Sequence, residues 1–272
     1  MSEGVPYAEV IGDPIAQSKS PLIHRTWIDQ LGIVGDYRAC HVRPDELAGY
    51  ITTRQADPDW RGCNITMPHK QAMLDLVGDP GNIRDSIGAM NTVLRNKAGV
   101  LSGTNTDVGG FFAPLADMDL AGREVVVIGA GGAARAVLFA LARSGCGPVT
   151  ILNRNVLKAS ALLAHFGLKG RVLPLGSRLP AAALLVNASS LGMKGQDPLD
   201  LDLSPLPGDA LVYDLVYSPL ETPLLRAAHA RGLDTIDGLE MLIGQAALAF
   251  ELFFGAAPPD DEDGVLREKL LV

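Results

Sequence analysis

Residues 123–145 read "REVVVIGAGGAARAVLFALARSG", and the reading of this stretch fixes how the rest of the chain is parsed. Val125, Val126, Val127 and Ile128 form a β-branched run that leads straight into a glycine-rich turn. A helix-forming segment follows and stops near Gly145. Strand, glycine turn and helix in immediate succession make the phosphate-binding unit of a doubly wound sheet. "GAGGAA", residues 129–134, fits G-x-G-x-x-A. Gly129 permits the tight turn, Gly131 lets the backbone approach a pyrophosphate, and Ala134 lets the helix lie close to the sheet. The N–H groups of the helix start then hold the phosphate charge. A glycine turn kept for packing is the plainer alternative; the strand before it and the helix after it favour the nucleotide.

The next strand, in "PVTILNRN", ends at Asn153 and Arg154. An Asp or Glu here would accept hydrogen bonds from the ribose 2′-OH of NAD and repel a 2′-phosphate, whereas an arginine attracts that phosphate. Arg154, with Lys158 one helical turn later, points to NADP. Two solvent-facing bases at a helix start are the blander explanation of the same residues. Strands in "ALLVNASSLGM" and "ALVYDLVYSP" and helices in "VLKASALLAHFG" and "TPLLRAAHARG" continue the alternation. The tail returns to helix in "GLEMLIGQAALAFELFFG" and "GVLREKLLV", with a solvated acidic loop expected over 258–263.

Upstream, "YAEVIG", "YRACHV" and "WRGCNITMP" read as strands, and "SPLIHRTWIDQLG", "PDELAGYITTRQ" and "HKQAMLDLV" as helices. "AMNTVLRNKAGVLSGTNTD" reads as strand, turn and strand. The fold class is α/β, with an N-terminal unit on a mostly parallel sheet followed by a doubly wound nucleotide-binding sheet. The boundaries are expected at 1–106 with 240–272 for the first domain and 107–239 for the second. The 272 residues are 47% hydrophobic and 20% charged, ordinary globular material, and the net charge of −8 argues against nucleic acid. Cys40, Cys63 and Cys146 form no CxxC pair, which suits reduced thiols in a cytoplasmic protein. No leader and no membrane span is expected.

Several polar residues stand at strand ends where a plain core has no use for them. Asn64 and Thr66 flank Ile65 and so face the same side of a strand. Lys70 is expected to open the next helix, where the dipole disfavours a cation. "GAMNTV" carries Asn91, and "GTNTD" carries Asn105 and Asp107, which could serve only as a helix cap. The five histidines are scattered and read as surface or packing residues, and no metal site is expected.

Taken in order, "PIAQSKSP", "NITMPHK", "GAMNT", "TNTD", "GAGGAA", "NRN", "NASSLGM", "YDLVYSP" and "DGLEMLIGQAA" span nearly the whole chain, and together they resemble the shikimate dehydrogenase family. The resemblance implies an N-terminal substrate domain, a Rossmann-type NADP domain and C-terminal helices packing back on the first domain. It implies NADPH-dependent reduction of 3-dehydroshikimate to shikimate, a step in aromatic amino acid biosynthesis. By the same resemblance Lys70 and Asp107 are the catalytic pair. Ser18 and Ser20 meet the substrate carboxylate, Thr66, Asn91, Asp107 and Gln245 its ring hydroxyls, with Asn64 and Tyr217 nearby. Gly129, Ala130, Gly131, Gly132 and Ala133 form the pyrophosphate turn, and Asn153, Arg154, Asn155 and Lys158 the 2′-phosphate clamp. Residues 187–193, including Asn187 and Ser189, lie near the nicotinamide with Leu215 and Gly238. The chain departs from the family pattern at Asn155, Lys158 and Ser189.

Rivals are a quinate or aminoshikimate dehydrogenase of the same superfamily, an enzyme of the methylenetetrahydrofolate dehydrogenase type, and a non-catalytic NADP-binding regulator. The serine pair and the 105–107 motif argue against the second, and the intact Lys70 and Asp107 against the third. Monomer and homodimer both suit this architecture. In "QSKSP" itself, Ser20 and Pro21 read as the cap and first turn of a helix, leaving Ser18 for an anion and Lys19 for solvent.

Overall fold

The computed structural model describes residues 4–259 and 264–271, so most of the expected acidic loop lies outside the described residues. The chain divides into two units, Met1–Thr106 with Ile243–Val272, and Asp107–Leu242.

The first unit holds a five-stranded sheet in the order β2-β1-β3-β4-β5. Strands β1 (Tyr7–Gly12), β2 (Asp36–His41) and β3 (Trp60–Ile65) are parallel. Strands β4 (Thr92–Arg95) and β5 (Leu101–Thr104) run antiparallel to their neighbours, so the sheet is mixed rather than mostly parallel. The cause is the short link between them: Asn96 closes it by accepting from the Ala98 and Val100 N–H groups, and so short a connection permits only an antiparallel pair. Helices α1 (Ser20–Leu31) and α2 (Leu47–Gln55) form where expected, and α1 stops at Gly32, whose φ of +62° suits a left-handed cap.

The helix expected over 69–77 is reduced to a 3₁₀ turn at Ala72–Asp75, and the structure adds a short α3 (Ile83–Ser86) that the sequence pattern does not announce. Lys70 therefore lies in a turn and does not open a helix. Its carbonyl accepts from the Met90 N–H at 2.8 Å, which takes that oxygen out of a helical ladder.

The second unit holds a six-stranded, wholly parallel sheet in the order β11-β10-β9-β6-β7-β8. These are β6 (Val125–Ile128), β7 (Val149–Asn153), β8 (Gly170–Pro174), β9 (Leu184–Asn187), β10 (Leu211–Asp214) and β11 (Asp234–Ile236). Helices α4 (Asp107–Phe112), α5 (Gly132–Ser144), α6 (Val156–His165) and α7 (Pro223–Ala230) accompany the sheet. Every residue of β6 and β9 is buried, as central strands of a parallel sheet covered on both faces must be. Chain order runs outward from β6 to β8 on one side and from β9 to β11 on the other. The carboxyl ends of β6 and β9 thus form the switch point at which such sheets bind ligands. Helix α8 (Gly238–Phe254) carries the chain back into the first unit, where α9 (Val265–Leu271) follows.

Candidate functional site

In the first unit the expected polar residues gather beyond the carboxyl ends of β1 and β3. A Cβ on Gly12 would lie 2.5 Å from the Thr66 methyl and 2.9 Å from the Met67 carbonyl. The absent side chain is what lets the loop after β1 lie against the end of β3. The Thr66 N–H donates to the Ile11 carbonyl at 2.9 Å and fixes the junction, and buried His69 donates to the Val42 carbonyl at 2.6 Å beside it.

Around this junction runs a chain of neutral hydrogen bonds. The Tyr37 hydroxyl donates to Asn64 Oδ1 at 2.6 Å, and Asn64 Nδ2 donates to Thr92 Oγ1 at 3.0 Å. The Thr92 hydroxyl donates to Asn91 Oδ1 at 3.0 Å, and that oxygen also accepts from the Thr106 N–H at 2.7 Å. Asn91 Nδ2 donates to Thr106 Oγ1 at 2.9 Å and to Gln245 Oε1 at 3.5 Å. Asn64, Asn91 and Gln245 are thereby brought together, all of them buried. Tyr37, Thr92 and Thr106 complete the chain and are not singled out by the sequence, although Thr92 and Thr106 stand inside "MNTV" and "TNTD". Asn105 holds the second motif in place through the Ala89 carbonyl at 2.7 Å. Asp107 is the first residue of α4, directly after Thr106 in the chain.

The serine turn departs from expectation. Ser20 is not the cap but the first residue of α1, and the cap position is Lys19. The Ser18 Oγ accepts from the Ser20 N–H at 3.3 Å, so the helix-starting duty given to Ser20 falls to Ser18. Lys19 is half-buried rather than solvent-facing, because its ammonium donates to the Leu270 carbonyl at the end of α9, where the helix dipole favours a cation.

In the second unit the site is made of backbone. Gly129 has a φ of +107°, and a Cβ there would meet the Ala188 carbonyl oxygen at 2.8 Å. Gly131 precedes α5 in extended conformation, and a Cβ on it would have no protein atom within 4 Å. The start of α5 has no side-chain cap and no acidic residue in its first turn, where helix N–H groups lack intrahelical partners. That donor set, with open space at Gly131, fits a pyrophosphate. Gly132 and Ala133 begin the helix, and Ala130 lies buried in the turn before it.

Arg154 and Lys158 are exposed just past β7, where a 2′-phosphate is expected. Asn155 serves as the cap of α6, accepting from the Lys158 N–H at 2.9 Å, and Asn153 donates to the Asn155 carbonyl at 2.8 Å. Across the switch point, Asn187 Oδ1 accepts from the Ser189 N–H at 3.1 Å and hydroxyl at 2.7 Å. The Leu215 N–H donates to the Asn187 carbonyl at 3.0 Å. A Cβ on Gly238 would fall 2.6 Å from the Leu215 carbonyl oxygen, so only glycine lets α8 start against the end of β10. Burial raises the Tyr217 phenol above its ordinary value. It also raises the carboxyl of Asp214, a fully buried residue absent from the sequence expectation, against three hydrogen bonds that stabilise its charge.

Family models match along most of the chain: the shikimate dehydrogenase substrate binding domain at 10–93, shikimate / quinate 5-dehydrogenase at 114–188 and the shikimate 5′-dehydrogenase C-terminal domain at 238–263. The chain is 69% identical over 266 residues to the shikimate dehydrogenase (NADP(+)) of Sphingopyxis alaskensis, covering 98% of this chain and 97% of the relative. Among solved structures it resembles the shikimate 5-dehydrogenase of Thermus thermophilus in complex with NADP(H) and shikimate. That likeness has 38% identity and a TM-score of 0.86, over 98% of this chain and 100% of the other. It also resembles the quinate dehydrogenase of Corynebacterium glutamicum in complex with NAD, with 31% identity and a TM-score of 0.85 over 98% of each chain.

Proposed function

This chain belongs to the shikimate dehydrogenase family, and from that premise we propose that it catalyses the reversible NADP-dependent reduction of 3-dehydroshikimate to shikimate. The observation that carries the assignment is the near-full-length identity of 69% to an NADP-dependent relative. The chemistry of the two centres supports it. A ring bearing several hydroxyls asks for neutral groups that both donate and accept, and the Asn91, Thr106 and Gln245 cluster is of that kind. The long Asn91 to Gln245 contact is the one a substrate hydroxyl can most readily replace. Ser18 and Ser20 at the start of α1 are assigned to the substrate carboxylate, with Thr66, Asn64 and Tyr217 around the ring.

We take Met1–Thr106 with Ile243–Val272 as the substrate-binding unit and Asp107–Leu242 as the NADP-binding one. NADPH, when bound, supplies the hydride. Lys70 Nζ donates the proton that the reduced carbonyl oxygen requires, and as the neutral amine accepts it in the reverse direction. Asp107 is assigned as the group that orients Lys70. Gly129, Gly131 and the start of α5 are assigned to the pyrophosphate, and Arg154 and Lys158 to the 2′-phosphate. Arginine at that place favours NADP over NAD, which separates this reading from an NAD-linked quinate enzyme.

The test is the absorbance of NADPH on mixing the purified protein with 3-dehydroshikimate. The absorbance falls if the reading holds, and a preparation that binds NADPH yet leaves it unoxidised would contradict it.

A further inference from the structure

Asp214 ends β10 directly beside Asn187, the last residue of β9, in the parallel register that pairs the two. Its carboxylate is fully buried, and every group bonded to it is a donor. Oδ1 accepts from Asn187 Nδ2 at 2.8 Å and from the Val216 N–H at 3.1 Å, and Oδ2 accepts from the Thr222 hydroxyl at 2.6 Å. Each partner controls a different segment. Asn187 also donates to the Leu191 carbonyl at 3.0 Å and, through its own oxygen, holds Ser189, so its amide organises the loop over 187–191. Thr222 caps α7 by accepting from the Leu225 N–H at 3.2 Å. Val216 begins the segment that meets Gly238.

A buried carboxylate is costly unless each oxygen is met by donors, and an acceptor-only group is what three converging donors demand. With Asn187 Nδ2 held by Asp214, its carbonyl must face Ser189, so the amide cannot rotate. Rotation would set two donors against each other at Ser189 and two acceptors against each other at Asp214. The backbone so fixed is also the surface against which the glycine turn closes, since Gly129 packs on Ala188.

We propose that Asp214 is a positioning residue for the nicotinamide end of the cofactor site, acting through Asn187 and Thr222 on the loop over 187–191. It touches neither cofactor nor substrate. The inference rests on the NADP reading above, which assigns that loop to the nicotinamide, and the test separates the two.

NADPH binding is followed by its own fluorescence, and adenosine 2′,5′-bisphosphate, which lacks the nicotinamide, serves as a competing probe. Asp214→Asn places an amide N–H₂ against one of the donors. It is expected to weaken NADPH binding about tenfold, the equivalent of about 1.4 kcal/mol. The affinity for adenosine 2′,5′-bisphosphate and the KM for shikimate should stay near the wild-type values, with a fall in kcat. Should Asp214→Asn fold poorly, Thr222→Val removes the donor to Asp214 together with the cap of α7 and is expected to reproduce the effect at smaller size, with Thr222→Ser, which keeps both bonds, restoring it. Equal weakening of NADPH and of the bisphosphate, or no change in either, overturns the proposal. If the wild-type protein binds NADPH but does not oxidise shikimate, the functional reading falls while the binding comparison still decides the role of Asp214.

Discussion

The two units solve recognition with different materials. In the first, the site is a chain of neutral side chains, Tyr37, Asn64, Thr92, Asn91, Thr106 and Gln245, each satisfied by the next. In the second, the candidate site is backbone brought close by missing side chains, in the glycine turn at Gly129 against Ala188 and at the start of α8 at Gly238 against Leu215 and Val216. A side-chain site can tell one arrangement of hydroxyls from another, because a mismatched partner leaves a buried polar group unmet. A backbone site reads a pyrophosphate by its charge and shape and needs no particular side chain. On the proposed reading, substrate choice rests on the side chains of the first unit, whereas the pyrophosphate turn of the second is most sensitive to the gain of a Cβ.

Substitutions in both units probe that contrast. The largest effect is expected from Lys70→Ala, which removes the proposed proton donor from the first unit. The kcat should fall by about 10²-fold or more, with NADPH binding and thermal stability unchanged. A near-wild-type kcat would remove Lys70 from that role. Next is the glycine pair. Gly129→Ala forces a φ of +107° on a residue with a side chain and drives its Cβ into the Ala188 carbonyl, so a loss of about 2 kcal/mol or more is expected in denaturant unfolding. Gly131→Ala meets no protein atom within 4 Å and should leave stability alone while lowering NADPH affinity. If both glycines behave alike in unfolding and in binding, the backbone account of the second unit is wrong.

Arg154→Ala tests a part of the second unit where a charged side chain, and not backbone, is proposed to meet the cofactor. The KM for NADPH should rise about tenfold, corresponding to about 1.4 kcal/mol, and the KM for NADH much less. Equal changes would remove the 2′-phosphate assignment. The smallest effect near neutral pH is expected at His24. It lies fully buried, stacked on Tyr37 with ring centroids 3.9 Å apart. Burial lowers its pKa from 6.5 to about 3, because the charged imidazolium loses its water. A value depressed by folding means that the neutral ring is favoured in the native state. This contribution is complete above about pH 6.5 and is lost as the pH falls from there towards 3, at no more than about 1.4 kcal/mol per unit. His24→Phe should flatten that acid limb in a pH series of unfolding curves, and an unaltered limb would show that His24 does not cause it.

Much of the second unit was legible because β6 and α5 obey local rules strictly: a β-branched run, then glycines, then a helix ended by Gly145. Strands β8 and β11 were not: both are edge strands, β11 spans only three residues, and "GRVLP" offers neither alternation nor a β-branched run. The helix expected after Pro68 failed because a tertiary bond from Met90 to the Lys70 carbonyl overrode local spacing. The helix-starting bond fell to Ser18 and not to Ser20 because a cap depends on which residue turns first into helix, a matter of one position. Asp214 was hidden for a different reason. Its role comes from lying beside Asn187 in register, and a linear sequence does not display which strands are neighbours.

The most direct test compares oxidation rates of the purified protein for shikimate and quinate, each with NADP+ and with NAD+. Shikimate with NADP+ is predicted to give the highest kcat/KM of the four pairs. A higher value for quinate or for NAD+, or no turnover of any pair by protein that binds NADPH, would contradict the account.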